Sequence, residues 1–180
     1  IHVPSWMGTA MSETLIRELG ANLDDLDEES EVGPFWNKLA EIPTEALWET
    51  HQREKLELAI FARRRLRSQF ARHGEAPAVL DAVETALDPD IFTIGFARRF
   101  ATYKRAGLLF TDLERLLSLP VQFVVAGKAH PQDDAGKDVM QRVVELSRAY
   151  PDRIVFLENY DIALAQRIIP GCDIWLNNPR

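Results

Sequence analysis

A single cysteine, Cys172, occurs in 180 residues. One thiol cannot close an internal disulfide, and cysteine-ligated zinc needs several thiolates at fixed spacing, so both are excluded and Cys172 reads as a small core residue. Long hydrophobic runs are also missing. No apolar stretch approaches the roughly 20 residues needed to cross a bilayer, and the first residues carry neither the basic nor the apolar region of a signal peptide. The expectation is a cytoplasmic protein with no membrane partner. Positive charge is in deficit: 21 Lys and Arg against 28 Asp and Glu leave a net charge of −7. That excludes a general nucleic-acid binder, whose surface needs a basic excess, so any anion site must be local. His2, His51 and His73 show no ligand spacing and read as structural or exposed; no metal site is expected.

What is present, at 46% hydrophobic residues, suffices for one domain or a domain with an appendage. The first half is helical in pattern. Met11 to Leu19 repeats apolar residues at helical spacing, with Gly20 as the stop and Ser12 as a candidate N-cap. The acidic run D-D-L-D-E-E-S-E within Asn22 to Glu31 reads as a solvated linker, because it lacks the spacing and glycine of a calcium loop. Pro43-Thr44-Glu45 opens a long helix that reaches Arg72 or His73 and stops at Gly74. Leu47, His51, Leu58, Phe61, Ala62, Leu66 and Phe70 mark its apolar face. The other face runs from acidic (Glu49, Glu54, Glu57) to basic (Arg63, Arg64, Arg65, Arg67, Arg72), an order that suits the helix dipole. It reads as a solvated face in preference to a phosphate-contacting one. Ala78 to Leu87 is a further short helix.

From Ile91 the pattern alternates. Strands are predicted at Ile91–Ile94, Val121–Ala126, Ile154–Leu157 and Ile174–Leu176, with helices at Tyr103–Leu117, Ala135–Tyr150 and Ile162–Ile169. Right-handed βαβ units of this kind build an α/β fold with a doubly wound parallel sheet. Residues 1–90 are therefore taken as a mainly helical segment and 91–180 as the sheet-bearing domain. Since the chain starts at Ile1 without methionine and stops at N-N-P-R directly after a strand, it reads as a piece of a longer protein.

The chemistry gathers where strands end, since parallel strands share the edge at which ligands bind. The first strand is expected to stop at Gly95, and Arg98, Arg99, Lys104 and Arg105 follow within a loop leading to a helix near Thr102. A guanidinium fork and a compact ammonium suit a phosphate, and the orphan N–H groups of the helix would add to them. A solvated basic loop is the alternative. A second loop is expected to open at Gly127-Lys128. Its sequence G-K-A-H-P-Q-D-D-A-G-K is not a P-loop, as no Ser or Thr follows Lys137. Lys128 is either site periphery or a surface lysine, and His130 reads as a surface residue in preference to a general acid. Glu158, Asn159 and Tyr160 end the third strand. They could bond sugar hydroxyls or cap the helix beginning at Asp161 and Ile162.

The runs R-R-F-A-T-Y-K-R (Arg98–Arg105), V-A-G-K-A-H-P (Val125–Pro131) and F-L-E-N-Y (Phe156–Tyr160) resemble, in order and spacing, the α-glucan (glycogen, starch or maltodextrin) phosphorylase family, in its shorter bacterial and archaeal branch. I-H-V-P-S-W at Ile1 to Trp6 is similar to a family segment near the junction of the two halves, whereas Asp24 to Asp90 match only in helical character. The resemblance implies part of the C-terminal Rossmann-like domain of a GT-B glycosyltransferase. The implied enzyme moves glucose from an α-1,4-glucan to inorganic phosphate, with retention, and gives glucose 1-phosphate. Pyridoxal 5′-phosphate is the implied cofactor, its phosphate group exchanging protons with the substrate phosphate. Carried over residue by residue, Arg99 and Lys104 hold substrate phosphate as the catalytic pair, and Tyr103 lies close to the glucosyl unit. Lys128, Glu158 and Asn159 contact substrate, while Arg98 and Tyr160 face the cofactor.

There are departures from the family. Larger members have lysine in place of Arg98 and histidine in place of Ala101. The cofactor lysine belongs to an E-A-S-G-T-x-x-M-K motif expected beyond Arg180, so this segment alone is expected to be inactive; a homo-oligomer is compatible with the full-length protein. A glycogen synthase-like enzyme using a nucleotide sugar, which shares an R-x-x-x-x-K pair such as Arg99 and Lys104, is the second reading. A non-catalytic anion-binding module is the third.

Overall fold

A computed structural model describes residues 6–20, 39–101 and 105–177 of the chain. The acidic run at 22–31, His2, Tyr103, Lys104 and residues 178–180 lie outside the described residues.

Helix α1, Thr9–Leu19, ends as its pattern dictates: Gly20 takes a left-handed φ of 61° and returns its N–H to the Ile16 carbonyl. Its start differs from the expectation. Gly8 holds the N-cap position, and the Ser12 hydroxyl donates back to the Gly8 carbonyl. The cap comes from another helix, since a Glu54 carboxylate oxygen accepts from the Met11 N–H at 2.9 Å. A Cβ on Gly8 would meet that carboxylate at 2.0 Å, so a larger residue there would displace the Glu54 side chain. Glu54 is therefore buried and not on a solvated face.

Helix α2, Thr44–Arg72, begins after Pro43 and is followed by Gly74 at φ 71°. Leu58, Ala59, Ala62 and Leu66 are buried, flanked by half-buried Phe61 and Phe70. The basic face departs from a merely solvated one. Arg63 donates to the Ala86 and Leu87 carbonyls at 2.8 and 2.9 Å, and Arg67 reaches the Leu80 carbonyl and Glu84. These arginines tie down the segment that follows, which is α3, Pro77–Ala82, and a 3₁₀ turn at Val83–Thr85 in place of one helix to Leu87.

The sheet comprises β1 (Phe92–Phe100), β2 (Val121–Ala129), β3 (Ile154–Leu157) and β4 (Ile174–Trp175). All pairings are parallel and the order is β3-β2-β1-β4, the first four strands of the mononucleotide-binding arrangement. The connection after β1 is not one helix over Tyr103–Leu117. Arg105 adopts φ 51°, a 3₁₀ turn covers Ala106–Phe110, and α4 (Leu113–Ser118) starts anew with the Asp112 carboxylate accepting from the Arg115 N–H. A left-handed residue and a second N-cap divide the segment. Helices α5 (Asp134–Ala149) and α6 (Ile162–Gly171) are capped in the same way by Asp133 and Asp161.

Alternation along the strands divides the core in two. Ala97, Val124, Ala126, Val155 and Leu157 pack with α2 and α6, while Phe96, Phe100, Phe123, Val125 and Phe156 pack with α5. The chain is thus α/β, a Rossmann-like parallel sheet preceded by a mainly helical segment. Among the described residues no helix is long and apolar enough to cross a membrane.

Candidate functional site

The carboxyl ends of the four strands share one edge, and polar residues collect there. β1 does not stop at Gly95. Phe96 and Phe100 continue the buried alternation and the pairing with β2 runs from Phe92↔Val121 to Phe100↔Ala129, so Arg98 and Arg99 are strand residues. Gly95 marks a close approach instead: a Cβ there would meet Cys172 Sγ at 2.9 Å. β2 likewise runs through Gly127 and Lys128 to Ala129, so the expected loop starts three residues later. Gly127 lies under the Phe100 ring, whose Cε2 would be 2.2 Å from an added Cβ.

A strand presents consecutive side chains to opposite faces, and this separates the two arginines. The half-buried Arg98 donates to Asn177 Oδ1, just beyond β4. Its charge also reaches Tyr160, whose pKa burial pushes up while Arg98 pulls it down and Asp161 adds to the rise. Arg98 and Asn177 therefore meet from two strand ends, and the Arg98 charge is felt at Tyr160 beyond a third. Arg99 is exposed and stands in register with Lys128, also exposed. Neither has an ion-pair or side-chain hydrogen-bond partner among the described residues. Their backbones lie about 5 Å apart across the ladder, so two like charges stand on neighbouring strands, and an anion between them would offset their repulsion.

The Glu158–Tyr160 turn is held from α2. Gln69, only 4% exposed, donates from its amide to the Phe156 carbonyl at 3.1 Å and accepts from the Glu158 N–H at 3.0 Å. Arg65 donates to the Glu158 carbonyl at 3.3 Å, and the Glu158 carboxylate faces His73 at 3.0 Å and Arg72 at 3.5 Å. Asn159 has φ 58°. Asp161 caps α6 by itself, accepting from the Leu164 N–H at 2.8 Å, which leaves Asn159 and Tyr160 outside the cap. His130 is exposed and its Nδ1 accepts from the Gln132 N–H, a surface arrangement.

At the opposite edge of the sheet lies a buried polar cluster that the sequence reading missed. Asp173 accepts from Lys55 Nζ at 2.9 Å, from the Thr93 N–H at 2.6 Å and from His51 Nε2 at 2.9 Å, and Lys55 also donates to the Ile91 carbonyl at 3.0 Å. Burial by itself would raise the Asp173 pKa, but these donors outweigh it and the net shift is downward. Next to it, burial pushes the Cys172 thiol up to about 11, as befits a core residue. Gln69, Arg65 and Lys55 were detectable in principle, since each falls on or beside the apolar stripe of α2, where a polar residue needs a partner.

The described residues therefore define a Rossmann-like α/β segment whose strand ends collect cationic and phenolic groups. No family model matches the chain. Glycogen phosphorylase of Aquifex aeolicus is 38% identical over 187 residues, which cover 99% of this chain and 27% of that protein. Maltodextrin phosphorylase of Thermococcus litoralis is 37% identical over 188 residues, covering 100% of this chain and 22% of that protein. Glycogen synthase of Cellvibrio japonicus is 35% identical over 99 residues, 55% of this chain and 19% of that protein. The chain is thus a homologue of one segment of the glycogen and maltodextrin phosphorylases, spanning about a quarter of their length. The similarity extends across Asp24 to Asp90, which the motifs alone had not linked to the family.

Proposed function

We propose that this chain is the phosphate-handling part of the C-terminal domain of an α-glucan phosphorylase with GT-B architecture, in which glucose passes from an α-1,4-glucan to inorganic phosphate. The observation that carries this reading is the pair of exposed, register-matched cations Arg99 and Lys128 at the carboxyl edge of the sheet. Inorganic phosphate is the substrate whose charge such a pair would offset, and Lys104, six residues after Arg98, would complete its binding. Cleavage through an oxocarbenium-like state is favoured by anionic charge nearby, which these cations would hold in place. Glu158 and Asn159 would bond sugar hydroxyls, and Tyr103 would line the glucosyl position. Residues 1–90 would serve as the helical support of the domain at 91–180, in a cytoplasmic enzyme.

Pyridoxal 5′-phosphate fits the donor set in part. The Arg98 guanidinium and Tyr160 phenol would hold its phosphate, which when bound supplies a proton donor and acceptor. Two of the described lysines do not suit its aldehyde: Lys55 is buried at the far edge with Asp173, and Lys137 pairs with Asp134 at 2.9 Å on α5. Lys128, the third described lysine, is given to substrate phosphate in this reading, so the aldehyde partner is assigned outside the described residues.

The test is phosphorolysis by the protein that carries this segment. Arg99→Ala and Lys104→Ala should each lower turnover with phosphate by about 30- to 1000-fold, the equivalent of roughly 2–4 kcal/mol of transition-state stabilisation, with glucan binding little changed. Rates within about threefold of the parent would refute the assignment. A second reading, transfer from a nucleotide sugar, is favoured by the partial similarity to glycogen synthase. Glucan extension from a nucleotide sugar without phosphorolysis would select it.

A further inference from the structure

We propose that Gln69 is a positioning residue that sets the direction of the Glu158–Tyr160 turn from helix α2. β3 is an outer strand of the described sheet, so the peptide groups along its outer side have no strand to bond. Gln69 supplies what a neighbour would: one donor to the Phe156 carbonyl at 3.1 Å and one acceptor for the Glu158 N–H at 3.0 Å. These two groups bracket Leu157, in the pattern by which a parallel strand engages its neighbour. A side-chain amide thereby extends the ladder at the last residue before the turn. The following residue, Asn159, holds a left-handed backbone at φ 58°, a turn conformation that asparagine tolerates better than other non-glycine residues. Tyr160 comes next, half-buried and within reach of the Arg98 charge. Fixing the Glu158 peptide thus fixes where the Asn159 side chain and the Tyr160 phenol emerge.

The alternative is that Gln69 merely fills the core. Its burial would then suit an apolar residue equally well, and the two matched bonds to one strand end would be incidental. Arg65 argues against this, because it binds the next carbonyl, that of Glu158, from the same helix face, and its Nε is buried without a partner. The α2 surface here is polar toward the strand end, where an apolar surface would pack more simply.

The inference rests on the reading in which Asn159 and Tyr160 belong to the site, and the experiment separates the two. In the protein that carries this segment, Gln69→Met keeps the length of the side chain and removes both bonds. Leu66→Ala, one turn earlier on α2, loosens the same core without touching the backbone of β3. Amide hydrogen exchange at Glu158, the thermal midpoint and the kinetics of phosphorolysis are measured for both, with Arg99→Ala alongside. Gln69→Met should speed exchange at Glu158 and lower kcat by about 10- to 100-fold at nearly unchanged glucan KM. Leu66→Ala should lower the thermal midpoint at least as much while kcat stays within about threefold. Gln69→Leu, which also removes both bonds and suits a buried position, should behave like Gln69→Met, and it carries the comparison if Gln69→Met does not fold. Equal losses in Gln69→Met and Leu66→Ala, or parental exchange and kcat in Gln69→Met, would overturn the proposal. If the parent shows no phosphorolysis the functional reading falls, and Glu158 exchange alone decides: faster in Gln69→Met supports positioning, unchanged refutes it.

Discussion

Asp173 shows how one carboxylate can be kept ionised inside a protein. Three donors, from Lys55, the Thr93 amide and His51, converge on its two oxygens and more than offset the cost of its burial. The sign of the linkage follows. Its folded pKa lies below its unfolded value, so below the unfolded value protons bind the unfolded chain more readily. The stabilisation is complete above about pH 4 and is lost as pH falls through the folded pKa. Glu54 acts in the opposite sense: burial raises its pKa against the opposing bond from Met11, so its contribution is greatest below the unfolded value and declines as pH rises through the folded one. In urea denaturation at a series of pH values, Asp173→Asn should be less stable than the parent at pH 6, and the gap should narrow as the solution is acidified below about pH 4. A gap that is constant with pH would show that the charge of Asp173 contributes nothing.

Local patterns decide which elements were legible. Ile154–Leu157, the glycine stops at Gly20 and Gly74, and helix α5 all follow from short-range hydrophobic period and capping, and they stand where the sequence puts them. The ends of β1 and β2 were not legible, because glycine followed by charge is also how a loop begins. What extends these strands is tertiary: Phe100 stays at 0% exposure and its ring covers Gly127, so the two strands remain paired for another few residues. The cations of the candidate site were visible in the sequence, but their grouping was not. Arg99 meets Lys128 through register, and Arg98 meets Asn177 through the placement of β4. Gly127→Ala tests this element directly. Its Cβ would stand 2.6 Å from the Arg98 carbonyl as well as 2.2 Å from Cε2 of the Phe100 ring. A loss of about 1–3 kcal/mol is expected in chemical denaturation, typical of overpacking. An unchanged midpoint would mean that Phe100 does not cover this position.

On the scale of the whole molecule, the βαβ alternation and its fixed handedness were enough to give the parallel sheet, while the path of α2 was not in any motif. At 29 residues α2 is about 43 Å long, and polar bonds secure it at both edges of the sheet. Lys55 holds Asp173 across 118 residues of sequence and Gln69 holds Phe156 across 87. That separation has a consequence in time. A helix of this length can form from its own local bonds within microseconds, but neither anchor exists until the intervening chain has closed into a large loop, a step that sets the pace of folding. On dilution from urea, with Trp6, Trp36 and Trp48 replaced by Phe so that Trp175 alone reports, far-ultraviolet ellipticity should therefore recover a substantial part of its amplitude before the fluorescence of the closed sheet appears. Lys55→Met should leave the early phase untouched and slow or weaken the late one. If both signals rose together in a single step, α2 would be made by the fold and not brought to it.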